Sequence, residues 1–369
     1  MAVTKANSSP ASNPLMAPFA SLWKGASKVI DYAFKVAKQT PQEKLQNIEA
    51  RKKTDPNQAI PGQEASPALQ ALFDSAVDKV KSTVSKLLEP RFDAKDLYDV
   101  SGNPKGADIE QDSLGDCYFV STLGAIADQQ PQRIKDAIQY DEKSGNFTVT
   151  MHEKYDNNGW LPGGHKERET KVEVTQLDLG YNLQRRGGSK VDNNPGTDGP
   201  IWPAVIETAY AKNHDKDWSD GIKQGFDKIA DGGWPKDAMF AVTGKEGEVM
   251  SIGSEKKDID AAYDKINQAL CDRQPITLAT QEERQGFWKW LFRAQVPQDG
   301  LRDNHAYQLT EIRRDANDEI LVKVRNPWAT NAGVGEGMDT PNPVVEVKLK
   351  TLVETGGLGS INIGLALEK

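Results

Sequence analysis

Two cysteines and four histidines in 369 residues leave few ways to pair a thiol nucleophile with a base. Cys117 stands behind Leu114-Gly115-Asp116 and heads a run in which Phe119, Leu123 and Ile126 share one stripe, with Val120 and Ala127 beside it. That spacing predicts a helix with the thiol in its first turn. A helix N-terminus offers unpaired N–H groups and the positive end of the dipole, and both favour a thiolate over a thiol. On this segment alone, a small buried hydrophobe is an equally good reading of Cys117. Cys271 closes an amphipathic run with no histidine in sequence reach and is read as structural.

The base has one promising candidate. His152 ends a predicted strand, His165 lies in a Gly-rich loop, and His214 follows a helix amid Lys and Asp, so all three read as solvated surface. His305 opens an extended stretch that runs to Ile312; the turn-rich Arg314 to Asp318 follows, then the strand Ile320 to Arg325 and Asn326-Pro327-Trp328. A hairpin turning near Asp315 to Asn317 sets His305 opposite Asn326 or one pair away. An Asn amide oxygen that accepts the imidazole N–H fixes the tautomer and frees the other nitrogen for proton transfer, and Trp328 could shield that bond. The bland alternative is an ordinary hairpin with a stray polar pair. Thiolate attack on a carbonyl also needs fixed donors where negative charge builds, and Gln111, six residues before Cys117, can supply one from its side chain.

These residues need a scaffold, and the chain predicts one of mixed type. Residues 1 to about 14 are Ala, Ser, Asn and Pro rich and are expected to be disordered. Amphipathic helices are predicted over 18–38 and 68–88, so residues 1–92 form a partly disordered, helical extension that could bind a partner or dock on the core. Strands are expected at Phe147 to Met151 and Lys171 to Val174, and a helix at Ile201 to Lys212. After Gly232-Gly233 come a helix through Ile259 and Leu270 and strands near Ile276 to Ala279, His305 to Ile312, Ile320 to Arg325, Val344 to Leu349 and Ile361 to Leu367. The fold class is α+β, with a helical Cys-bearing part at 93–232 and a β-rich His/Asn-bearing part at 233–369. Phe287 to Phe292 forms a dense aromatic run before His305, read as core in preference to a lid over the cleft.

Composition removes several function classes. A formal charge of −8 without a long Lys/Arg cluster argues against a nucleic-acid reader, which exchanges cations for counterions. No apolar run approaches the ~18 residues of a membrane span. Two cysteines make no disulfide framework, and the N-terminus is a poor secretory signal, so the expected location is cytoplasmic as synthesised, with a leaderless export route left open.

Gln111-x-x-Leu-Gly-Asp-Cys-Tyr118, then His305-Ala-Tyr307 and Arg325-Asn-Pro-Trp328, resemble the protease core of the calpains, as does Trp202-Pro-Ala-Val-Ile-Glu-Thr-Ala-Tyr-Ala-Lys212. The resemblance covers roughly residues 93 to 369. It implies a papain-like fold of two subdomains and endopeptidase activity on protein substrates through a thioester acyl-enzyme. Cys117 is then the nucleophile, His305 the base and acid, Asn326 the orienter and Gln111 the oxyanion donor. Tyr118 stands where the animal enzymes usually have Trp, and Asn304 where they usually have Gly. No C2-like domain or EF-hand array follows, so a stand-alone core is expected, of the minimal kind known in bacteria. Calpains use calcium, yet Asp108 is the only matched ligand, with Pro200 in place of an expected Glu and Asn342 and Val344 near the expected acids of a second site. A cofactor is therefore not expected to be required. Other readings are an acyltransferase or deamidase, which an Asn rather than an Asp disfavours, a non-enzymatic interaction protein on a protease scaffold, and use as an effector.

Overall fold

A computed structural model of the chain describes residues 92–155, 166–185, 187–190, 199–215, 222–282, 299–332 and 340–367. The two predicted N-terminal helices, His165 and the aromatic run 287–292 lie outside the described residues.

The run behind Cys117 forms helix α1, Cys117–Gln129, and every residue from Tyr118 to Ala127 is buried. It has no solvated face, which is why the sequence there lacks charge. Pro131 opens the short helix α2, Pro131–Ala137, and strand β1, Ile138–Asp141, follows directly. With β2, Asn146–Tyr155, and β3, Lys166–Val174, it makes a three-stranded antiparallel sheet. Along β2 the fully buried Phe147, Val149 and Met151 alternate with less buried Thr148 and Thr150, the period of two that a one-sided sheet requires. Helices α3, Gln176–Arg185, α4, Trp202–His214, α5, Lys223–Ala230, and α6, Pro235–Thr243, complete this half.

The second half is built on a six-stranded sheet. Strands β4, Glu248–Met250, β5, Ile276–Thr280, β6, Ala306–Arg314, β7, Ile320–Arg325, β8, Val344–Lys348, and β9, Leu358–Ile363, lie in the order β4-β9-β5-β6-β7-β8, with every neighbouring pair antiparallel. Helix α7 is Lys256–Cys271, and α8, Leu349–Thr355, joins β8 to β9. The fold is thus mixed helix and sheet.

Two hydrophobic cores accompany the two sheets. Phe119, Leu123, Val149, Trp202 and Phe226 belong to the first, and Ile266, Leu278, Tyr307, Val322 and Leu352 to the second. Ala238, Met239, Ala241 and Val242 of α6 also pack into the first core, so the core changes over one helix later than the Gly232-Gly233 break suggests. The chain turns there at Gly244, whose φ of 74° caps α6 in the left-handed region.

Polar contacts tie α1 to the large sheet. Ser121 Oγ donates to Ala306 O at 2.8 Å, Thr122 and Thr277 hydroxyls meet at 3.1 Å, and Gln308 Nε2 donates to Asp128 at 2.5 Å. The head of α1 is thereby held beside the start of β6, where His305 sits. The last strand differs from expectation. Gly356, with φ 77°, ends α8 and turns the chain straight into β9, which stops at Ile363; Leu365 and Leu367 beyond it are exposed.

Candidate active site

Cys117 occupies the first turn of α1, as the spacing predicts. Asp116 at the N-cap makes no capping hydrogen bond with its side chain, which leaves the first N–H groups of the helix to the thiol. Backbone hydrogen bonds from Ala306, Tyr118 and Cys117 itself do favour the thiolate, but burial outweighs them and pushes the thiol up to about 11. Burial thus favours the neutral thiol of Cys117, contrary to the expectation from the helix end alone. The Ala306 bond also fixes its neighbourhood, because Ala306 follows His305 in the chain.

His305 is buried, and the β-hairpin places it as follows. Strands β6 and β7 pair from Arg314↔Ile320 to Gln308↔Arg325, with an irregularity between Leu309 and Glu311. Continued past Arg325, that register sets His305 level with Trp328, and the two rings lie 4.5 Å apart between centroids. Asn326 is two positions away, one more than expected, because the strands turn at 315–319, later than near Asp315 to Asn317; its side chain reaches back, and the His305 Nε2 to Asn326 Oδ1 distance is 3.0 Å. Asn326 Nδ2 donates to Asn331 Oδ1 at 3.1 Å, and Asn331 Nδ2 donates to Asn342 O at 2.7 Å. Both amides are therefore oriented by their partners, and Asn326 Oδ1 must accept the Nε2–H. The neutral imidazole then carries its lone pair on Nδ1. Burial lowers His305 to about 4 despite the hydrogen bond from Asn326.

The backbone at His305 is equally constrained. His305 N donates to Thr280 Oγ1 at 3.0 Å and Thr280 N donates to His305 O at 2.8 Å. Asn304 has φ 51°, a left-handed conformation that Gly adopts freely and Asn tolerates best among the others. This accounts for Asn304 where a Gly is usual. Tyr118, the other departure, is buried beneath the backbone of Gly233, where an added Cβ would come within 2.5 Å of its ring.

Gln111 lies in the loop before Cys117 and is buried. Its Nε2 donates to Leu114 O at 2.6 Å and to Asp116 Oδ1 at 3.2 Å, and its Oε1 has no partner. Both amide hydrogens thus point into the loop at rest instead of toward an oxyanion. Sequence reasoning missed Thr280 and Asn331, which carry no chemical signature of their own. It also passed over Asp116 and Glu207; a charged residue at the centre of an otherwise apolar helix was the available signal for Glu207.

Residues 171–342, which include His305 and Asn326, match the family described as calpain family cysteine protease. The chain carries a calpain-family domain. It is 26% identical to the "Calpain-type cysteine protease DEK1" of Arabidopsis thaliana over 233 residues, covering 62% of this chain and 9% of that protein. It is also 24% identical to the "Calpain-13" of Rattus norvegicus over 264 residues, covering 68% of this chain and 34% of that protein. The chain thus spans about a tenth of the plant relative and a third of the animal one.

The side chains considered for calcium, Asp108 and Asn342, are both engaged within the chain. Asp108 Oδ2 already accepts from Trp202 Nε1 at 2.8 Å and from Lys105 N at 2.9 Å, so this carboxylate caps a 3-10 turn and anchors α4. Asn342 Oδ1 accepts from Val344 N at 3.0 Å. Hard cations need several free oxygens converging on one point, and these two are engaged locally. No group of three or more His, Cys, Asp or Glu placed to hold a metal occurs among the described residues. Nor does any described helix have the length and apolar character to cross a membrane.

Proposed function

We propose that this chain is a calpain-like cysteine endopeptidase that cleaves protein substrates through a thioester acyl-enzyme, on a papain-like scaffold of two subdomains. The observation that carries the reading is the His305–Asn326 hydrogen bond beside a thiol bonded by the backbone of Ala306. The two cores support the layout, one packing against the thiol and the other carrying the strands on which His305 and Asn326 are mounted.

In this reading His305 Nδ1 takes the thiol proton while Nε2–H stays on Asn326. Burial opposes each charge alone, so thiolate and imidazolium form together, each offsetting the other's lost hydration. The thiolate attacks the scissile carbonyl carbon, and the oxyanion is met by the N–H at Cys117 and by Gln111 Nε2 once that amide leaves Leu114 and Asp116. The imidazolium then protonates the leaving amine, the thioester remains on Cys117, and water hydrolyses it with His305 again as base. Labelling by a peptidyl epoxide, located by mass spectrometry, together with cleavage of a peptide library, tests the reading with Cys117→Ala as control. Cleavage and labelling confined to the Cys117 protein are expected; neither would occur in a non-catalytic interaction protein, the reading that the inward-facing Gln111 amide favours.

Calcium is not needed in this proposal, because packing and the α1 to β6 contacts hold the site together. Peptide hydrolysis in EGTA should match that with micromolar calcium added to metal-free protein. A large reversible loss in the chelator would overturn the point.

A further inference from the structure

Behind the nucleophile lies a pair of carboxyl groups that the reaction scheme does not use. Asp116 and Glu207 are both fully buried. Glu207, at the middle of α4, accepts from Asn182 Nδ2 at 2.6 Å and from Gly188 N at 3.0 and 3.1 Å. Gly187 leaves room for this carboxylate, since a Cβ there would run into it. Asp116 Oδ1 accepts from Gln111 Nε2, whereas Oδ2 meets no donor. The two side chains are nevertheless hydrogen-bonded to each other. Two carboxylates cannot make that bond; a carboxylic acid and a carboxylate can.

Which of the two holds the proton follows from the partners. Glu207 is surrounded by N–H donors, which suit the charged form, and Asp116 has a single amide contact. Among the other groups facing the pair, the charge of Arg185 favours the ionised form of Glu207 and so reinforces this assignment. Cys117 and Tyr118 from α1 and Tyr210 from α4 are neutral at rest, and Arg185 at the end of α3 is bound to Asp227 at 2.9 Å. Burial and the charge of Glu207 both raise Asp116 well above the ordinary carboxylate range.

The pair also joins the segments that frame the thiol. From Glu207 one link runs through Asp116 to Gln111 and on to Leu114 O. Another runs through Gly188, whose carbonyl accepts from Glu110 N at 3.1 Å, one residue before Gln111. We propose that Asp116 and Glu207 share one proton, carried by Asp116 and donated to Glu207, and that this pair positions Gln111 and the head of α1 for the reaction. Its catalytic part rests on the peptidase reading; the shared proton does not. Asp116 is a positioning residue, since it reaches the substrate only through Gln111 and Cys117.

Asparagine at 116 copies the protonated acid, with an N–H for Glu207 and an oxygen for Gln111. Alanine copies neither. The expected result is that Asp116→Ala loses kcat on the order of 10²-fold with KM little changed, and that Asp116→Asn restores it to within about tenfold. The second readout needs no activity. A group whose folded pKa is raised gives stability that is present below its unfolded value and lost as pH rises through the folded one. Asp116 should therefore contribute a loss of melting temperature as pH rises above its ordinary value of 3.8, and the Asp116→Asn profile, compared pH by pH with that of the unmodified protein, should lack that contribution. Parallel melting profiles for Asp116→Asn and the unmodified protein would overturn the shared proton, and Asp116→Asn no better than Asp116→Ala in kcat would overturn the positioning role. Absence of peptidase activity from the unmodified protein would sink the peptidase reading and with it the positioning role, while the melting comparison still decides the proton.

Discussion

The two sides of the site are finished to different degrees. On the His305 side the amides of Asn326 and Asn331 form a chain that ends on the backbone carbonyl of Asn342, and the His305 backbone is clamped by Thr280. On the Cys117 side the buried Gln111 Oε1 lacks a donor, and both hydrogens of that amide face inward. Leaving a buried polar atom unsatisfied costs about 1–3 kcal/mol, so the nucleophile loop sits in a less comfortable state than the base hairpin. In the proposed peptidase reading, this difference puts the last adjustment before catalysis on the loop 110–117, with the hairpin already organised.

The largest effect that can break this comparison is loss of either reacting group. Cys117→Ala and His305→Ala should each reduce peptide cleavage to background, by on the order of 10⁶-fold, because members of such a unit fail together. A variant of either residue that kept substantial activity would remove the basis for comparing the two sides at all. Gln111→Ala comes next and speaks to the loop directly. Losing an oxyanion donor costs on the order of 10²- to 10³-fold in kcat with KM retained. If Gln111 never leaves Leu114 and Asp116, steady-state kinetics will show less than about a threefold change in kcat, and the adjustment assigned to the loop would be absent.

How much of this could be read beforehand depended on how local each signal was. The head of α1, the strand β7 and the nearness of His305 to Asn326 rest on short-range periodicity and a single turn, although the register is offset from the expected one. The helix-end argument for Cys117 gave the right donors and the wrong net ionisation, because burial is a tertiary quantity that no local pattern contains. Asn331 and Thr280 reach the site from loops and strand ends distant in sequence, so only the folded chain brings them in. Helices α3, α5 and α6 and strand β1 were not anticipated; α5, for example, is eight residues long, too short for periodicity to separate helix from loop.

The ionisation of the two sides offers a finer test. His305 has a folded pKa depressed to about 4 by burial, against an unfolded value near 6.5. Above about pH 6.5 it is neutral in both states; as pH falls, the unfolded chain takes up a proton that the native one refuses, and stability is lost down to about pH 4. The full effect is on the order of 3 kcal/mol. The base side thus limits stability toward acid, opposite to the loss with rising pH proposed for Asp116. Melting temperatures between about pH 4 and about pH 7 should fall less steeply for His305→Gln than for the unmodified protein, and identical slopes would mean that His305 is not held neutral by burial.

The smallest expected effect uses the two cysteines as an internal comparison. Both are free thiols; Cys117 is partly covered, and Cys271 at the end of α7 is exposed. Reactivity toward a small, non-specific alkylating agent follows the thiolate fraction and access, and burial has raised Cys117 to about 11. Brief iodoacetamide treatment of the substrate-free protein at neutral pH should therefore modify Cys271 first and leave peptidase activity intact, whereas a peptidyl epoxide, which occupies the cleft, should modify Cys117 and abolish it. Cys271→Ser should change activity by less than about twofold and stability by no more than about 0.5 kcal/mol, as expected of an exposed site away from any special feature. Peptide mapping of the alkylated protein decides the order: early modification of Cys117 by the small reagent would show that the thiol is already ionised at rest, and the nucleophile side would then be as fully prepared as the base side.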